Sequence, residues 1–257
     1  MRRLVDGPPV ADVLDPYREV DRVRAEGGCW VLANMVGGLD GSAAVGGRVG
    51  ALTGGADAVL FRRLRALADV VLVGAQTVRA EGYGPVRLPD DLRAEREAAG
   101  RPPVPPVAVV SRSLRLDWEG PLFTEADASG PTIVVTGPRS AEGPEAPAAR
   151  SAAELVVVDP PVDAPDGGVS VPGLLAALAD RGHGIVLCEG GPALLGELVA
   201  AGRLDELCLT VAPVIGGDPL PVVTTVPGAV LRSFTLCHVA TAEGSLFLRY
   251  EANRDGR

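Results

Sequence analysis

Short continuous apolar runs alternate with amphipathic segments along most of the chain. Such runs are typical of strands that are buried on both faces of a parallel sheet. The predicted strands are Cys29–Val36, Val70–Val73, Val107–Val110, Ile133–Val135, Leu155–Val158 and Ile185–Cys188. Helical spacing of apolar residues predicts helices at Ala58–Asp69, Gly173–Asp180 and Ala193–Ala201. This alternation predicts an α/β fold, with a mostly parallel central sheet and helices on both faces.

The last part of the chain follows a different pattern. Leu207–Val214, Leu231–Val239 and Ser245–Tyr250 are strand-like and have no helix between them, which predicts antiparallel strands at the C-terminal edge of the sheet. Such an addition leaves apolar edge and face to bury, and a second copy of the chain could cover them. We see no internal repeat. We therefore expect a single domain over residues 28–252, after an N-terminal extension of residues 1–27 with a short helix at Tyr17–Glu26.

Lysine is absent from all 257 residues, and the 24 basic side chains are all arginine. A Schiff-base amine, a pyridoxal-phosphate anchor and the lysine of a Walker A loop are therefore excluded. The formal net charge is −9, so the protein as a whole repels phosphate groups at long range. A phosphorylated ligand must then be bound by local arginines and backbone amides.

Composition also argues against several other classes. Aromatic residues make up only 4% of an acidic chain, which disfavours a nucleic-acid-binding surface. The four cysteines form no CxxC pair and there are only two histidines, so we expect no metal site. Cys29, Cys188 and Cys208 lie within apolar runs, where a thiol serves as a small packing group. We find neither a signal peptide nor a membrane-length apolar span, and we expect a cytoplasmic protein with no membrane partner.

Polar and glycine residues follow the predicted strands, and ligands of open α/β sheets collect at these carboxyl ends. The most informative segment is Glu189-Gly190-Gly191-Pro192, which leads from a strand into a helix. It is either a tight turn or a cradle for a pyrophosphate, because glycines allow close approach to the amides at a helix start. Glu189 favours the cradle, since a carboxylate at the end of an apolar strand is costly to bury unless it is paired or used.

Two further segments leave alternatives open. Ser111-Arg112 follows a strand and is either a solvated turn or a fork for a monophosphate, such as the 2′-phosphate of NADP. Asp40 lies in a glycine-rich loop over Gly38–Gly55 and either caps a turn or lies beside a ligand. No GxGxxG follows any predicted strand, which disfavours a Rossmann dehydrogenase.

Several of these segments together resemble the RibD C-terminal family, the reductase domain of riboflavin biosynthesis. The resemblance rests on Gly38-Leu39-Asp40-Gly41, on the segment from Leu64-Arg65-Ala66 to Gly82-Tyr83, on Glu189-Gly190-Gly191-Pro192, and on Leu204-Asp205-Glu206-Leu207 with Ala212-Pro213 through Gly216. It covers residues 29–250 and is strongest to stand-alone actinobacterial members. It implies a dihydrofolate reductase-like fold, a homodimer, and NADPH-dependent reduction of 5-amino-6-(5-phosphoribosylamino)uracil to the ribitylamino product.

The resemblance also implies roles for individual residues. Arg65 and Glu189 would contact the substrate, with Arg65 on its phosphate, and we add Asp40 as a possible substrate contact. Asp40, Glu189 or a water that they hold would deliver the proton that hydride transfer requires. The cofactor contacts would be Thr53, Thr77, Glu81, Ser111, Arg112, Gly190, Gly191, Leu194 and Leu195.

The chain departs from the family pattern at three positions: Gly38 replaces serine, Ala51 replaces a tryptophan of bifunctional members, and Glu81 replaces the more frequent aspartate. No HxE or PCxxC motif occurs, so a zinc deaminase half is absent from this chain. Two alternatives to the pyrimidine substrate remain open, a dihydrofolate-type pterin reductase and a non-catalytic NADP-binding protein.

Overall fold

A computed structural model describes residues 9–23, 27–162, 168–225 and 230–253. These residues form one nine-stranded sheet with the order β5-β4-β3-β2-β6-β1-β7-β9-β8. The strands are β1 (Trp30–Gly37), β2 (Val70–Gly74), β3 (Val107–Val110), β4 (Ile133–Thr136), β5 (Glu154–Val157), β6 (Ile185–Cys188), β7 (Glu206–Val211), β8 (Phe234–Ala242) and β9 (Ser245–Ala252). All six strands predicted from continuous apolar runs are confirmed. β6 returns to a position between β2 and β1, so the ends of these three strands lie side by side.

Helices cover both faces of the sheet. They are α1 (Asp15–Arg18), α2 (Gly55–Leu64), α3 (Ala75–Glu81), α4 (Asp90–Ala98), α5 (Pro121–Thr124), α6 (Pro138–Ala141), α7 (Ala146–Ala152), α8 (Val171–Ala179) and α9 (Pro192–Ala200). Leu60 and Leu64 of α2 pack with Leu92 of α4 in the apolar layer on one face. Leu175 of α8 and Leu195 of α9 pack in the layer on the other face. The central strands are thus buried on both sides, which explains their unbroken apolar sequence.

The C-terminal edge is antiparallel only in part. β9 pairs antiparallel with both β7 and β8, as the helix-free pattern predicted. β7 joins the two parts of the sheet, because it runs antiparallel to β9 but parallel to β1, with Leu32 opposite Glu206 and Gly37 opposite Val211. α9 supplies the crossover that precedes β7, so the strand belongs to the parallel part of the sheet.

The predicted helix at Tyr17–Glu26 was also wrong over the described residues, since the helix is α1, Asp15–Arg18. Pro16 fits its first turn. The chain then turns back, because the guanidinium of Arg22 donates to the carbonyl oxygen of Tyr17 at 2.7 Å and to the buried carboxylate of Glu206 at 2.9 Å. Residues 24–26 of the prediction, like residues 1–8 of the extension, lie outside the described residues.

α2 begins and ends earlier than the predicted Ala58–Asp69. At its beginning, the carboxylate of Glu243 from the β8–β9 turn accepts a hydrogen bond from the Ala56 amide at 3.2 Å. This cap comes from a distant part of the chain and allows the helix to begin at Gly55. At its end, a 3₁₀ turn over Arg65–Leu67 replaces the last predicted turn.

Cys29, Cys188 and Cys208 are buried, as their apolar surroundings predicted. Within the described part of the chain, no helix combines the length and the apolar character that crossing a membrane would require.

Candidate active site

The turn after β6 brings two backbone segments into close contact. The amide of Gly74, at the end of β2, donates to the carbonyl oxygen of Gly190 at 2.8 Å. Gly190 has φ +90°, a conformation that favours glycine, and the peptide bond between Gly190 and Gly191 is cis. A Cβ at Gly191 would lie 2.7 Å from Oγ1 of Thr77. Position 191 therefore has no room for a side chain unless Thr77 or the turn moves.

α9 begins directly after this turn. Pro192 lies in its first turn and lacks an amide, so the amides of Ala193 and Leu194 are those that the helix itself leaves unpaired. The side chains of Leu194 and Leu195 are buried in the core, and the amide of Leu195 already donates to the carbonyl oxygen of Gly191 at 3.1 Å. A contact from this helix to a ligand must therefore come from the first backbone amides.

A buried ion pair lies beside the glycine turn. Nε and Nη2 of Arg65 each donate to the carboxylate of Glu189 at 2.7 Å. The Tyr83 hydroxyl accepts from Arg65 Nη2 at 2.8 Å and contacts the same carboxylate. The ring of Phe61 lies 4.4 Å from the guanidinium carbon and covers one face of the cation. The site thus holds a fixed, paired arginine and carboxylate between two aromatic rings.

Arg65 and Glu189 shift each other's pKa, and burial shifts both. Burial raises the pKa of the Glu189 carboxyl, and the guanidinium of Arg65 opposes that rise. Burial acts to lower the pKa of Arg65, but the Glu189 carboxylate outweighs it and the pKa of Arg65 is raised. Burial thus favours the protonated form of Glu189, whereas its pairing with Arg65 favours the carboxylate.

Asp40 caps a turn, as one of its two interpretations proposed. One carboxylate oxygen accepts from the Ser42 amide at 3.1 Å and from the Ser42 hydroxyl at 2.6 Å. The other accepts from the amides of Gly216 at 2.7 Å and Gly217 at 3.3 Å. The Ser42 hydroxyl and these amides hold the pKa of Asp40 well below its usual range. Such a group is a poor proton donor.

Two more carboxylates fasten the same glycine-rich loop. Glu81, at the end of α3, accepts from the Val49 amide at 2.9 Å. Asp218 accepts from the amides of Gly46 at 3.0 Å and Gly47 at 2.7 Å. The loop is thus tied to α3 on one side and to residues 216–218 on the other. Because Oε1 of Glu81 accepts the Val49 amide, a contact from Glu81 to the cofactor would use Oε2.

Thr53 closes the loop just before α2. Its hydroxyl donates to the carbonyl oxygen of Val49 at 3.5 Å. Asp57 is a buried residue in the first turn of α2; burial raises its pKa, and the hydroxyls of Thr210 on β7 and of Thr53 oppose that rise. Thr53 was predicted as a site residue, but Asp57 was not, because it stands in an unremarkable Gly-Ala-Asp-Ala sequence. A carboxylate in the first turn of a buried helix was the available signal.

Ser111 and Arg112 separate in the structure. Ser111 is buried, and its hydroxyl accepts the Leu114 amide at 3.0 Å, so this side chain shapes the turn. Arg112 is exposed. Its side chain packs against Gly168. Burial raises the pKa of Glu197 on α9, and the positive charge of Arg112 opposes that rise. Arg112 therefore lies near the same helix that begins at the glycine turn.

The structure brings together Arg65, Glu189, Gly190, Gly191 and Thr77 in direct contact at the ends of β2 and β6. It places Asp40 and Glu81 along the glycine-rich loop, and Arg112 on the far side near α9. Tyr83 and Phe61 join the central group although sequence analysis gave them no role.

A glycine turn and a buried ion pair at the carboxyl ends of parallel strands lie where α/β enzymes typically bind their ligands. Residues 29–243 match the family model described as the RibD C-terminal domain. The chain therefore belongs to the RibD C-terminal domain family. Its members are reductases, and the protein is an oxidoreductase.

Individual relatives agree with this assignment. The chain is 27% identical, over 65% of its length and 72% of the relative's, to the 2,5-diamino-6-ribosylamino-4(3H)-pyrimidinone 5′-phosphate reductase of Archaeoglobus fulgidus. A pyrimidine reductase-like protein of Corynebacterium diphtheriae has 27% identity and a TM-score of 0.78, with 95% of this chain and 96% of that chain covered. The riboflavin biosynthesis reductase of Saccharomyces cerevisiae shares the fold, with 17% identity, a TM-score of 0.62, and coverage of 88% and 90%.

Proposed function

We propose that the protein is an NADPH-dependent reductase of a 5-amino-6-(5-phosphoribosylamino)pyrimidine in riboflavin biosynthesis. The observation that carries the proposal is the glycine turn after β6, which opens α9 beside the buried pair of Arg65 and Glu189. The uracil form of the substrate is the one that the family resemblance implies. The archaeal relative is named for the 2-amino form of the same ring system.

The residues at the turn fit the diphosphate of NADPH. Gly191 lies against Thr77 without space for a Cβ, and the first amides of α9 are the unpaired donors of a helix start. Arg112 is the exposed cation near that helix and would contact the 2′-phosphate. NADPH, when bound, supplies the hydride that the reaction consumes.

The chain's own groups would orient the substrate and place a proton. In its open form the ribosylamino group has a C=N bond, so hydride addition at carbon requires a proton at nitrogen. Glu189 fits this delivery better than Asp40, because burial raises the pKa of Glu189 whereas hydrogen bonds hold the pKa of Asp40 low. Arg65 keeps Glu189 in one orientation and is available to the substrate phosphate through the remaining edge of its guanidinium.

The direct test is loss of NADPH absorbance at 340 nm with the purified protein and each candidate substrate. Turnover of a phosphoribosylaminopyrimidine, with the ribitylamino product identified by mass spectrometry, supports the proposal. Turnover of dihydrofolate alone would favour the pterin reductase alternative. NADPH binding with no turnover of any of these compounds would favour the non-catalytic alternative.

Replacing Arg112 by glutamine is expected to raise KM for NADPH about tenfold and to leave KM for NADH unchanged. The reason is the loss of one charge-assisted contact to the 2′-phosphate, which NADH lacks. Steady-state kinetics with both cofactors measures the effect. Arg115→Gln, three residues further along and also exposed, is the matched control. An equal change for both cofactors would remove Arg112 from 2′-phosphate binding.

We also propose a homodimer formed through the C-terminal strands. On one face of β7, β9 and β8, apolar side chains lie opposite each other and are half-buried or exposed. The pairs are Leu207 with Tyr250, Leu209 with Leu248, Val211 with Leu246, and Leu236 with Tyr250. Light scattering at micromolar concentration is expected to give twice the chain mass, and Leu236→Glu is expected to shift the protein towards monomer. A wild-type monomer would contradict the proposal.

A reducing compartment, the cytoplasm, is where we propose that the reaction takes place. The four cysteines are free thiols, which is compatible with such an environment.

A further inference from the structure

Asp57 is a buried carboxyl group without a cationic partner among the described residues. Its side chain belongs to the first turn of α2, and the residue is only 6% exposed. The groups that act on it are the hydroxyls of Thr210 and Thr53. Two other buried carboxylates are paired with arginine, Glu189 with Arg65 and Glu206 with Arg22 and Arg249, and the buried Asp205 accepts the Val31 amide. Burying an unpaired carboxyl is costly, so its retention calls for a use.

Asp57 lies between the end of the glycine-rich loop and the end of β7. Thr210 is the residue before Val211, which ends β7 opposite Gly37, the last residue of β1. Thr53 ends the glycine-rich loop, which Glu81 ties to α3. At the other end of α2, Arg65 binds Glu189. Asp57 and Arg65 are thus about 12 Å apart along the helix, at 1.5 Å per residue, and an extended phosphoribosylaminopyrimidine could reach from one to the other.

The chemistry of Asp57 favours a ligand edge that carries two donors. A carboxylate has about four acceptor sites, and the two threonine hydroxyls occupy only part of them. A 2-amino-4-oxopyrimidine ring presents the N3–H and the 2-amino group side by side, which is the arrangement that a carboxylate accepts in a bidentate manner. Uracil presents an acceptor, O2, in place of the amino group. A carboxylate facing O2 would be repelled and one acceptor would be left unpaired.

We infer that Asp57 is the specificity-determining residue that makes the 2-amino-4-oxopyrimidine ring a better substrate than uracil. This inference rests on the proposed function and names the ring form that the site prefers. It assigns the two ends of α2 to the two ends of the substrate, with the ring at Asp57 and the phosphate at Arg65.

The protonation of Asp57 is consistent with this role. Burial raises the pKa of Asp57, and the hydroxyls of Thr210 and Thr53 oppose the rise by donating to the ionised form. Two ring donors would stabilise the carboxylate in the same way, so ring binding and ionisation support each other.

The test compares the two ring forms in the full chain. We expect kcat/KM with NADPH to be at least tenfold higher for 2,5-diamino-6-(5-phosphoribosylamino)-4(3H)-pyrimidinone than for the uracil form. Asp57→Asn presents one acceptor and one donor, which matches uracil, and is expected to lower this ratio at least tenfold. Asp91→Asn, on the exposed part of α4, is the matched control and should leave the ratio unchanged.

A second measurement is independent of turnover. Calorimetric titration with the two ribitylamino product phosphates, without NADPH, is expected to show the same preference and its reversal in Asp57→Asn. It keeps the inference testable in the wild-type protein even if the variant folds poorly, because equal affinity for both products would overturn it.

The outcomes separate the inference from the proposed function. Reduction of both ring forms at equal efficiency, or a ratio unchanged in folded Asp57→Asn, overturns the role of Asp57 and leaves the reductase standing. Failure to reduce either form overturns the proposed substrate. Dihydrofolate, which carries the same 2-amino-4-oxo edge without the ribosyl phosphate, is the third arm. If the protein reduces dihydrofolate and neither pyrimidine, the phosphoribosyl part of the proposal is overturned. If Asp57→Asn then loses the reduction of dihydrofolate, the ring preference is supported.

Discussion

Replacing Arg65 by methionine is expected to lower the free energy of unfolding by about 3–5 kcal/mol and to abolish reductase activity. Glu189 is almost fully buried, with 1% of its side chain exposed, and Arg65 supplies both of its bidentate hydrogen bonds. Without the guanidinium, the carboxylate must either remain charged and unpaired or take up a proton. Urea unfolding followed by circular dichroism measures the loss of stability.

The controls for this variant distinguish stability from activity. The double variant Arg65→Met with Glu189→Leu removes both charges and is expected to regain most of the stability, because apolar replacements of a buried pair are often neutral. It should remain inactive, since it lacks both the proposed phosphate contact of Arg65 and the proposed proton donor Glu189. Arg87→Met breaks the exposed pair with Glu125 and should cost less than about 1 kcal/mol. An Arg65→Met protein as stable as wild type would show that the pair contributes nothing to folding.

Replacing Gly191 by alanine is expected to weaken NADPH binding about 100-fold. The new Cβ would lie 2.7 Å from Oγ1 of Thr77, so either Thr77 or the turn must move, and both line the proposed diphosphate site. Titration of NADPH fluorescence measures the dissociation constant. The fold should tolerate the change better than the site does, because Thr77 and Gly191 are half-buried and lie outside the apolar core.

Gly184→Ala is the matched control, since Gly184 precedes the same strand at its opposite end. A Cβ there meets only the Asp69 carboxylate, at an ordinary 3.6 Å. NADPH affinity should stay at the wild-type value in this variant. Unchanged affinity in Gly191→Ala would mean that the glycine turn does not contact the cofactor.

The strands and the glycine turn could be predicted from sequence because their signals are local. Val70–Val73 and Ile185–Cys188 are unbroken apolar runs, and only a strand buried on both faces requires such a run at that length. Gly190 and Gly191 come just after Ile185–Cys188, so the apolar run predicts the strand and the glycine pair predicts the turn that ends it.

The remaining features depend on contacts between distant residues. Tyr83 reaches Glu189 across 106 positions, and Glu243 caps α2 from 187 positions away. The start of α2 was therefore misplaced, since its cap is absent from the neighbouring sequence. The parallel direction of β7 likewise follows from the preceding helix crossing the sheet, which the apolar pattern of the strand does not encode.

Asp40, Glu81 and Asp218 fasten the glycine-rich loop by accepting its amides or those of its neighbours. Glycine has more conformational freedom to lose on ordering than any other residue, so a free loop of this composition would pay heavily when a ligand bound to it. Here that entropy is lost during folding. Ligand binding therefore requires less loss of conformational entropy, so the affinity for a small ligand is higher than it would be with a free loop.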